Sequence, residues 1–117
     1  SKIYNCYLNN TKLNILNEGK SIRDYIHIDN IVDVYEKILF DSSVNIDILD
    51  IGTGEGKSVA EILKYLSEKG FLIDTESSIR KEVQVSRANT TKLEEILDIS
   101  SFIDVNLYLF DKIKNSK

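Results

Sequence analysis

The sequence predicts a small mixed α/β domain with short parallel strands and about four helices. Three observations carry this. Short β-branched or apolar runs at Tyr25–Ile28 and Ile46–Ile51 each lead into a segment with helical apolar spacing. A glycine-rich stretch, Gly52 to Gly56, separates the second run from its helix. Strand–loop–helix units of this kind favour parallel pairing. Finally, hydrophobic residues make up 42% and charged residues 29% of the 117, which places the chain among globular rather than disordered sequences. That length suits one domain with a modest core.

Taken in order, residues 1–22 read as a tail, a short apolar alternation (Leu13, Ile15) and a turn at Asn17-Glu18-Gly19-Lys20. Tyr25 to Ile28 alternates aromatic and β-branched residues, so Ile26 and Ile28 face one way and Arg23, Tyr25 and His27 the other. Asp29 is placed to cap a helix whose apolar face is Ile31, Val32, Tyr35, Ile38 and Leu39. Asp41-Ser42-Ser43 ends it. Ile46, Ile48, Leu49 and Ile51 form a nearly continuous apolar strand, the pattern of a strand covered on both faces. Ser58-Val59-Ala60-Glu61 is a capping box, Val59, Ile62, Leu63 and Leu66 form one helical face, and Gly70 ends the helix. Phe71–Ile73 reads as a strand, and 77–85 as extended, ending in Val83-Gln84-Val85. Asn89-Thr90-Thr91 starts a helix with Leu93, Ile96 and Leu97 on its apolar side. Ser100-Ser101 starts a last one carrying Ile103, Leu107, Phe110 and Ile113, with Lys112 and Lys114 near its end, where cations suit the dipole. Proline is absent, and we have no physical account of that.

Charge and cysteine content narrow the function. The net charge of −4 argues against a nucleic-acid or anionic-membrane surface, since either needs a basic patch. An anionic ligand would have to be held by a few placed cations. Cys6 is the only cysteine, so no intrachain disulfide forms, and a reducing, cytoplasmic compartment is expected. No apolar run approaches a membrane span, and no signal peptide is visible. One Cys and one His give no basis for a metal site. No nucleophile–base pair stands out, so no catalytic residue is assigned. His27, the only histidine, reads first as a packed strand residue, though it shares a face with Arg23 and Tyr25.

Two segments suggest ligand chemistry. Arg23 opens a strand, where its planar fork of donors suits a phosphate; the plain alternative is a solvated arginine. Leu49-Asp50-Ile51-Gly52-Thr53-Gly54-Glu55-Gly56 is a glycine loop between a strand and a helix, open to close backbone approach by a ligand. Alone it resembles the cofactor loop of class I S-adenosylmethionine methyltransferases, with Asp74 in the place of their ribose-binding acid. Only about 60 residues follow the loop, however, and each further strand–helix unit of a doubly wound sheet needs about 30.

Arg23 to Asp33, reading Arg-Asp-Tyr-Ile-His-Ile-Asp-Asn-Ile-Val-Asp, closely resembles the Arg-Asp-Tyr-Ile-His-Val-Asp-Asp segment of the NAD-dependent sugar-nucleotide epimerase/dehydratase family, the extended short-chain dehydrogenases. The glycine loop also fits that family's Asn-Ile-Gly-Thr-Gly-Glu turn and serine-capped helix, with Asp50 replacing Asn. A third match is Arg80-Lys81-Glu82, then Ala88-Asn89-Thr90-Thr91-Lys92, against Arg-x-Gly-Glu/Asp and Ala-Asp-x-x-Lys. Here the family glycine is missing, the spacing is one residue short, and Asn89 replaces Asp. Further on, Asp98-Ile99 stands where the family has Gly-Trp, and Ile103 to Leu107 replaces Leu-x-x-Gly-Leu. The similarity spans roughly residues 12–114.

The resemblance implies the fold of the carboxy-terminal, substrate-binding lobe over residues 1–117, with the NAD-binding Rossmann domain absent from this chain. It implies Arg23 and Arg80 as contacts to a nucleotide-sugar pyrophosphate and Glu82 as a ribose contact, with Arg87 an alternative phosphate contact and Lys92 a support for its helix. The parent would oxidise the sugar by hydride transfer to NAD⁺. The chain has no Gly-x-x-Gly-x-x-Gly and no Tyr-x-x-x-Lys, so the fragment alone is expected to bind no NAD and to be inactive. Two other functions stay open: a methyltransferase-like cofactor-binding fragment, and a non-catalytic interaction module. The apolar Ile46–Ile51 run is expected to make the fragment self-associate, as a homodimer or larger species.

Overall fold

A computed structural model describes residues 1–116. The elements run α1 (Lys2–Asn9), β1 (Leu13–Leu16), a 3₁₀ turn (Asn17–Gly19), β2 (Ile22–Arg23), α2 (Ile28–Phe40), β3 (Lys57–Ser58), α3 (Val59–Glu68), β4 (Thr75–Ser78), α4 (Thr91–Ile96) and α5 (Val105–Lys114). The mixed α/β class with a short parallel sheet holds, with five helices rather than about four. The extra one is α1, which the sequence reading took for a tail. The Ser1 hydroxyl caps it, and Asn10 closes it in the left-handed conformation.

The chain has two small sheets. β1 and β4 pair in parallel, Leu13 against Thr75 through Leu16 against Ser78. β2 and β3 pair antiparallel, Ile22 with Ser58 and Arg23 with Lys57. Ile22 also bridges Val85 on its other edge, donating to the Gln84 carbonyl at 2.7 Å and accepting from the Ser86 N–H at 2.9 Å. The two-residue strand that carries Arg23 is therefore held from both sides.

The core is helical. Ile62 and Leu66 of α3 pack with Leu109 and Ile113 of α5, and Ile3, Tyr4 and Tyr7 of α1 close over them with Phe71 and Ile73. The expected capping box is complete: the Ser58 hydroxyl accepts from the Glu61 N–H and the Glu61 carboxylate from the Ser58 N–H. Gly70, at φ +90°, follows the end of α3. Lys57 pairs with Asp104, which also caps α5, so Asp104 and not Ser100-Ser101 starts the last helix. Ser100 instead donates to Asp98, a local turn that leaves Ile103 outside the helix.

Three further readings are corrected. Tyr25–His27 forms no strand, and His27 replaces Asp29 as the cap of α2, its Nδ1 accepting from the Asp29 N–H at 3.0 Å. Phe71–Ile73 is not a strand; the pairing falls on Thr75–Ser78, where β1 supplies a partner. Ile46–Ile51 forms no strand either, and Ile48 is 78% exposed. A strand needs a ladder partner, and the described residues supply none there.

The helix after the Arg23 segment is turned the unexpected way. α2 buries only Asn30 and Val34, while Ile28, Val32, Tyr35, Ile38, Leu39 and Phe40 are exposed. Of the apolar face read from the sequence, Ile31 is half-buried and the rest is exposed. The overall shape agrees: the radius of gyration is 16.4 Å and the extents are 48 × 37 × 20 Å, against about 13 Å for a compact domain of similar length. No helix of the described residues is long and apolar enough to cross a membrane.

Candidate functional site

Arg23 and Glu82, 59 residues apart in sequence, meet in space. The Arg23 guanidinium donates to the Ile22 carbonyl at 2.7 Å and lies 3.5 Å from the Glu82 carboxylate, with both side chains partly covered. Tyr25, Ser21 and Glu82 line the same cavity as Arg23, about 360 Å³, floored by Leu13, Ile15 and Leu16 of β1. Such an apolar cleft with a few converging polar groups is the general form of a small-ligand site.

Glu82 is held firmly. The Ser21 hydroxyl donates to it at 2.5 Å and the Asn17 amide at 3.2 Å. The Ser21 bond, joined by the Asn17 bond and the charges of Arg23 and Arg80, keeps its carboxyl below the usual range despite partial burial. Tyr25 shifts the other way. Burial raises its phenol, and the Glu82 charge adds to that while Arg23 opposes it.

Arg80 joins the group through its backbone, both of whose polar groups bond Asn17, while the residue itself is exposed. Of the three residues assigned from sequence, two thus line the cavity and the third is anchored beside it with a free-standing side chain. Arg87, the alternative, is also exposed; its stem passes near Gly56.

Asp24 is the residue that sequence reasoning missed. One carboxylate oxygen accepts from the Thr53 N–H and hydroxyl, at 3.0 and 2.6 Å. The other accepts from Gly54 N–H at 2.9 Å and Ala88 N–H at 3.1 Å. Burial pushes its carboxyl up, but these four bonds outweigh it and hold the group below its ordinary value. Asp24 thus ties the Arg23 segment, the glycine loop and the start of the 88–91 turn into one unit. Its signal in the sequence was only its place beside Arg23.

Two amides of the glycine loop, those of Thr53 and Gly54, bind Asp24, and a Cβ on Gly52 would meet Ala88 at 2.5 Å and Asp24 at 2.6 Å. Gly54 sits at φ +78° against Thr90. The loop is a packed turn around the Asp24 carboxylate. His27 is likewise occupied: it caps α2 and stacks edge-on against Tyr108, centroids 4.8 Å apart.

No family model matches the chain. A 51-residue stretch is 37% identical to UDP-glucose 4-epimerase 2 of Oryza sativa subsp. japonica, covering 40% of this chain and 12% of that one. Solved structures match over nearly the whole chain. UDP-glucuronic acid 4-epimerase from Bacillus cereus, in complex with UDP-glucuronic acid and NAD, superposes with TM-score 0.79 at 22% identity over 97% of this chain and 38% of its own. MoeE5 in complex with UDP-glucose and NAD gives 0.82 at 20%, over 97% and 39%. dTDP-glucose 4,6-dehydratase from Bacillus anthracis str. Ames, in complex with NAD, gives 0.77 at 16%, over 96% and 36%. The chain thus spans well under half the length of these proteins. It has the fold of the C-terminal lobe of the NAD-dependent nucleotide-sugar epimerases and dehydratases.

Proposed function

We propose that residues 1–117 are the substrate-binding portion of an NAD-dependent nucleotide-sugar epimerase or dehydratase. Arg23 and Arg80 bind the pyrophosphate and Glu82 the nucleotide ribose. The observation that carries this is the convergence of Arg23, Ser21, Tyr25 and Glu82 on one cavity, in a fold whose solved examples include complexes with UDP-sugars. In a chain of net charge −4 an anion needs such placed cations. Glu82 is compatible with this role: its Oε1 is loaded by Ser21 and Asn17, and Oε2 needs only a modest shift of the loosely held Arg23 to accept a hydroxyl.

NAD belongs to the parent, on residues outside this chain; the engagement of the Thr53 and Gly54 amides by Asp24 supports a role for these residues in positioning the substrate rather than in the redox step. The lone cysteine and acidic charge support a cytoplasmic parent whose partner is a nucleotide-sugar, with no role for nucleic acid or membrane. The bare stripe on α2 and the unpaired 46–51 run support docking against the NAD-binding half in the parent, and self-association of the 117 residues alone. The occupied glycine loop weighs against the methyltransferase reading.

The test is UDP-glucose affinity of the full-length parent by calorimetry, with folding checked by circular dichroism. Arg23→Ala should lose about tenfold to a hundredfold, the worth of one charge-assisted contact of about 1.5–3 kcal/mol. Arg23→Lys should recover part of it, because an ammonium cannot make the forked contact. Arg80→Ala should weaken binding as well. A folded Arg23→Ala parent that binds as tightly as wild type would make Arg23 a solvated bystander and end the proposal.

A further inference from the structure

We infer that Asn17 is a positioning residue of this site, setting where Arg80 and Glu82 stand without touching ligand. The inference rests on the substrate-binding reading above. Asn17 has φ 50°, followed by Glu18 at 60° and Gly19 at 70°, a run of left-handed residues that few side chains tolerate. In that conformation its amide faces the Arg80 backbone. Nδ2 donates to the Arg80 carbonyl at 2.6 Å, and Oδ1 accepts from the Arg80 N–H at 3.0 Å. One side chain thereby reproduces the paired exchange that a neighbouring strand would make. The pairing also fixes the amide's orientation, since the flipped form would set donor against donor and acceptor against acceptor.

The same Nδ2 reaches Glu82 Oε1 at 3.2 Å, alongside the Ser21 hydroxyl, which leaves Oε2 toward Arg23. Regular pairing stops at Ser78 and resumes only at Gln84–Val85. Among the described residues, the hydrogen bonds reaching 79–83 come from Asn17, Ser21 and Arg23. Ile79, with 97% of its surface exposed, adds no packing to hold this stretch. So the two assigned ligand residues on this otherwise loose segment take their place largely from Asn17. No other residue type does all of this. Glycine keeps the turn without the amide. Aspartate keeps the turn and the acceptor, but sets a negative oxygen against the Arg80 carbonyl and the Glu82 carboxylate.

The experiment uses the full-length protein with UDP-glucose as probe, read by calorimetry, thermal melting and amide hydrogen exchange. Asn17→Gly keeps the left-handed turn, so it should fold, lose protection at the Arg80 amide, and bind UDP-glucose about fivefold to tenfold more weakly. Asn17→Asp should bind more weakly still. Because Asn17 acts partly through Glu82, Asn17→Gly should cost markedly less affinity in a Glu82→Ala background than in wild type. If Arg23→Ala weakens binding but Asn17→Gly does not, or if the two losses simply add, the inference fails alone. If wild-type protein does not bind UDP-glucose, or binds it independently of Arg23, the substrate-binding reading fails and this inference with it.

Discussion

The segments around Arg23 and the helix that follows it are adjacent in sequence and opposite in character. Residues 17–24, 52–54 and 80–88 are tied together by polar bonds within the chain: Asp24 alone accepts four, and Asn17 and Ser21 fasten Glu82. α2, a few residues on, leaves Leu39 74% and Phe40 83% exposed. In the first region Asp24 and Glu82 are fixed by hydrogen bonds before any ligand arrives, the kind of order a small polar ligand needs. The second differs: most of its apolar surface is exposed among the described residues, the kind of patch for which we propose a protein partner. Under the proposal above, the first would serve the ligand and the second a protein partner.

If that contrast is right, damage to the first region should be costly even without ligand. Asp24→Ala removes the acceptor for three backbone N–H groups and one hydroxyl. Orphaned, partly buried donors cost about 1–3 kcal/mol each, so a loss of about 3 kcal/mol or more is expected in the unfolding free energy measured by urea denaturation. A loss below about 1 kcal/mol would mean that water replaces Asp24 easily and that the region is not self-sufficient.

Acid probes the same region more gently. Asp24 and Glu82 both have folded-state carboxyls held below their ordinary values, 3.8 and 4.5. Groups of this kind stabilise the fold above the unfolded value and lose that contribution as pH falls through the folded one. Stability should therefore be flat from neutral pH to about pH 5 and decline below about pH 4. Asp24→Asn, which cannot ionise, should flatten the part of the decline that belongs to Asp24. An Asp24→Asn variant with an unchanged acid profile would assign the loss to other carboxylates.

At the junction of the two regions stands His27. His27→Ala removes the α2 cap and the edge-on contact with Tyr108, effects worth about 1 kcal/mol each. It should lower the melting temperature while leaving UDP-glucose affinity of the parent within about twofold. A large affinity loss at unchanged stability would place His27 on the ligand side after all.

The contrast also explains what could be read in the sequence. Elements whose cause is local were legible: the Ser58–Glu61 capping box, the Gly70 stop and the alternation of Leu13 and Ile15 all involve neighbours in sequence. Arg23 and Glu82 came from motif resemblance, and their meeting across 59 residues is visible only in three dimensions. Asp24 and Asn17 were missed for the same reason, since their partners lie 29 to 65 residues away. α2 misled differently. Its periodicity identified a helix correctly, but periodicity says which face is apolar, not what covers it. The Ile46–Ile51 run failed likewise: a pattern suited to two covered faces meets only partial cover among the described residues, with Ile46, Leu49 and Ile51 half-buried and Ile48 exposed.

The smallest effect on stability and the sharpest on assembly are expected from the α2 stripe itself. Ile28, Val32, Tyr35 and Leu39 recur at intervals of four, three and four residues, the spacing of a seam along one side of a helix. Their exposure means that folding of the 117 residues gains little from them. Leu39→Glu should therefore change the unfolding free energy from urea denaturation by less than about 0.5 kcal/mol, as for ordinary surface positions. The charge would nevertheless sit within any surface that covers the C-terminal end of the stripe, where an unpaired carboxylate is costly to bury. Light scattering at high concentration should show residues 1–117 as self-associated species and the Leu39→Glu variant shifted toward monomer. Two results would break the argument. A strictly monomeric wild-type fragment would show that the stripe tolerates water as it is. A variant that loses stability but not association would show that Leu39 serves this chain's own core, and that the self-association surface lies elsewhere.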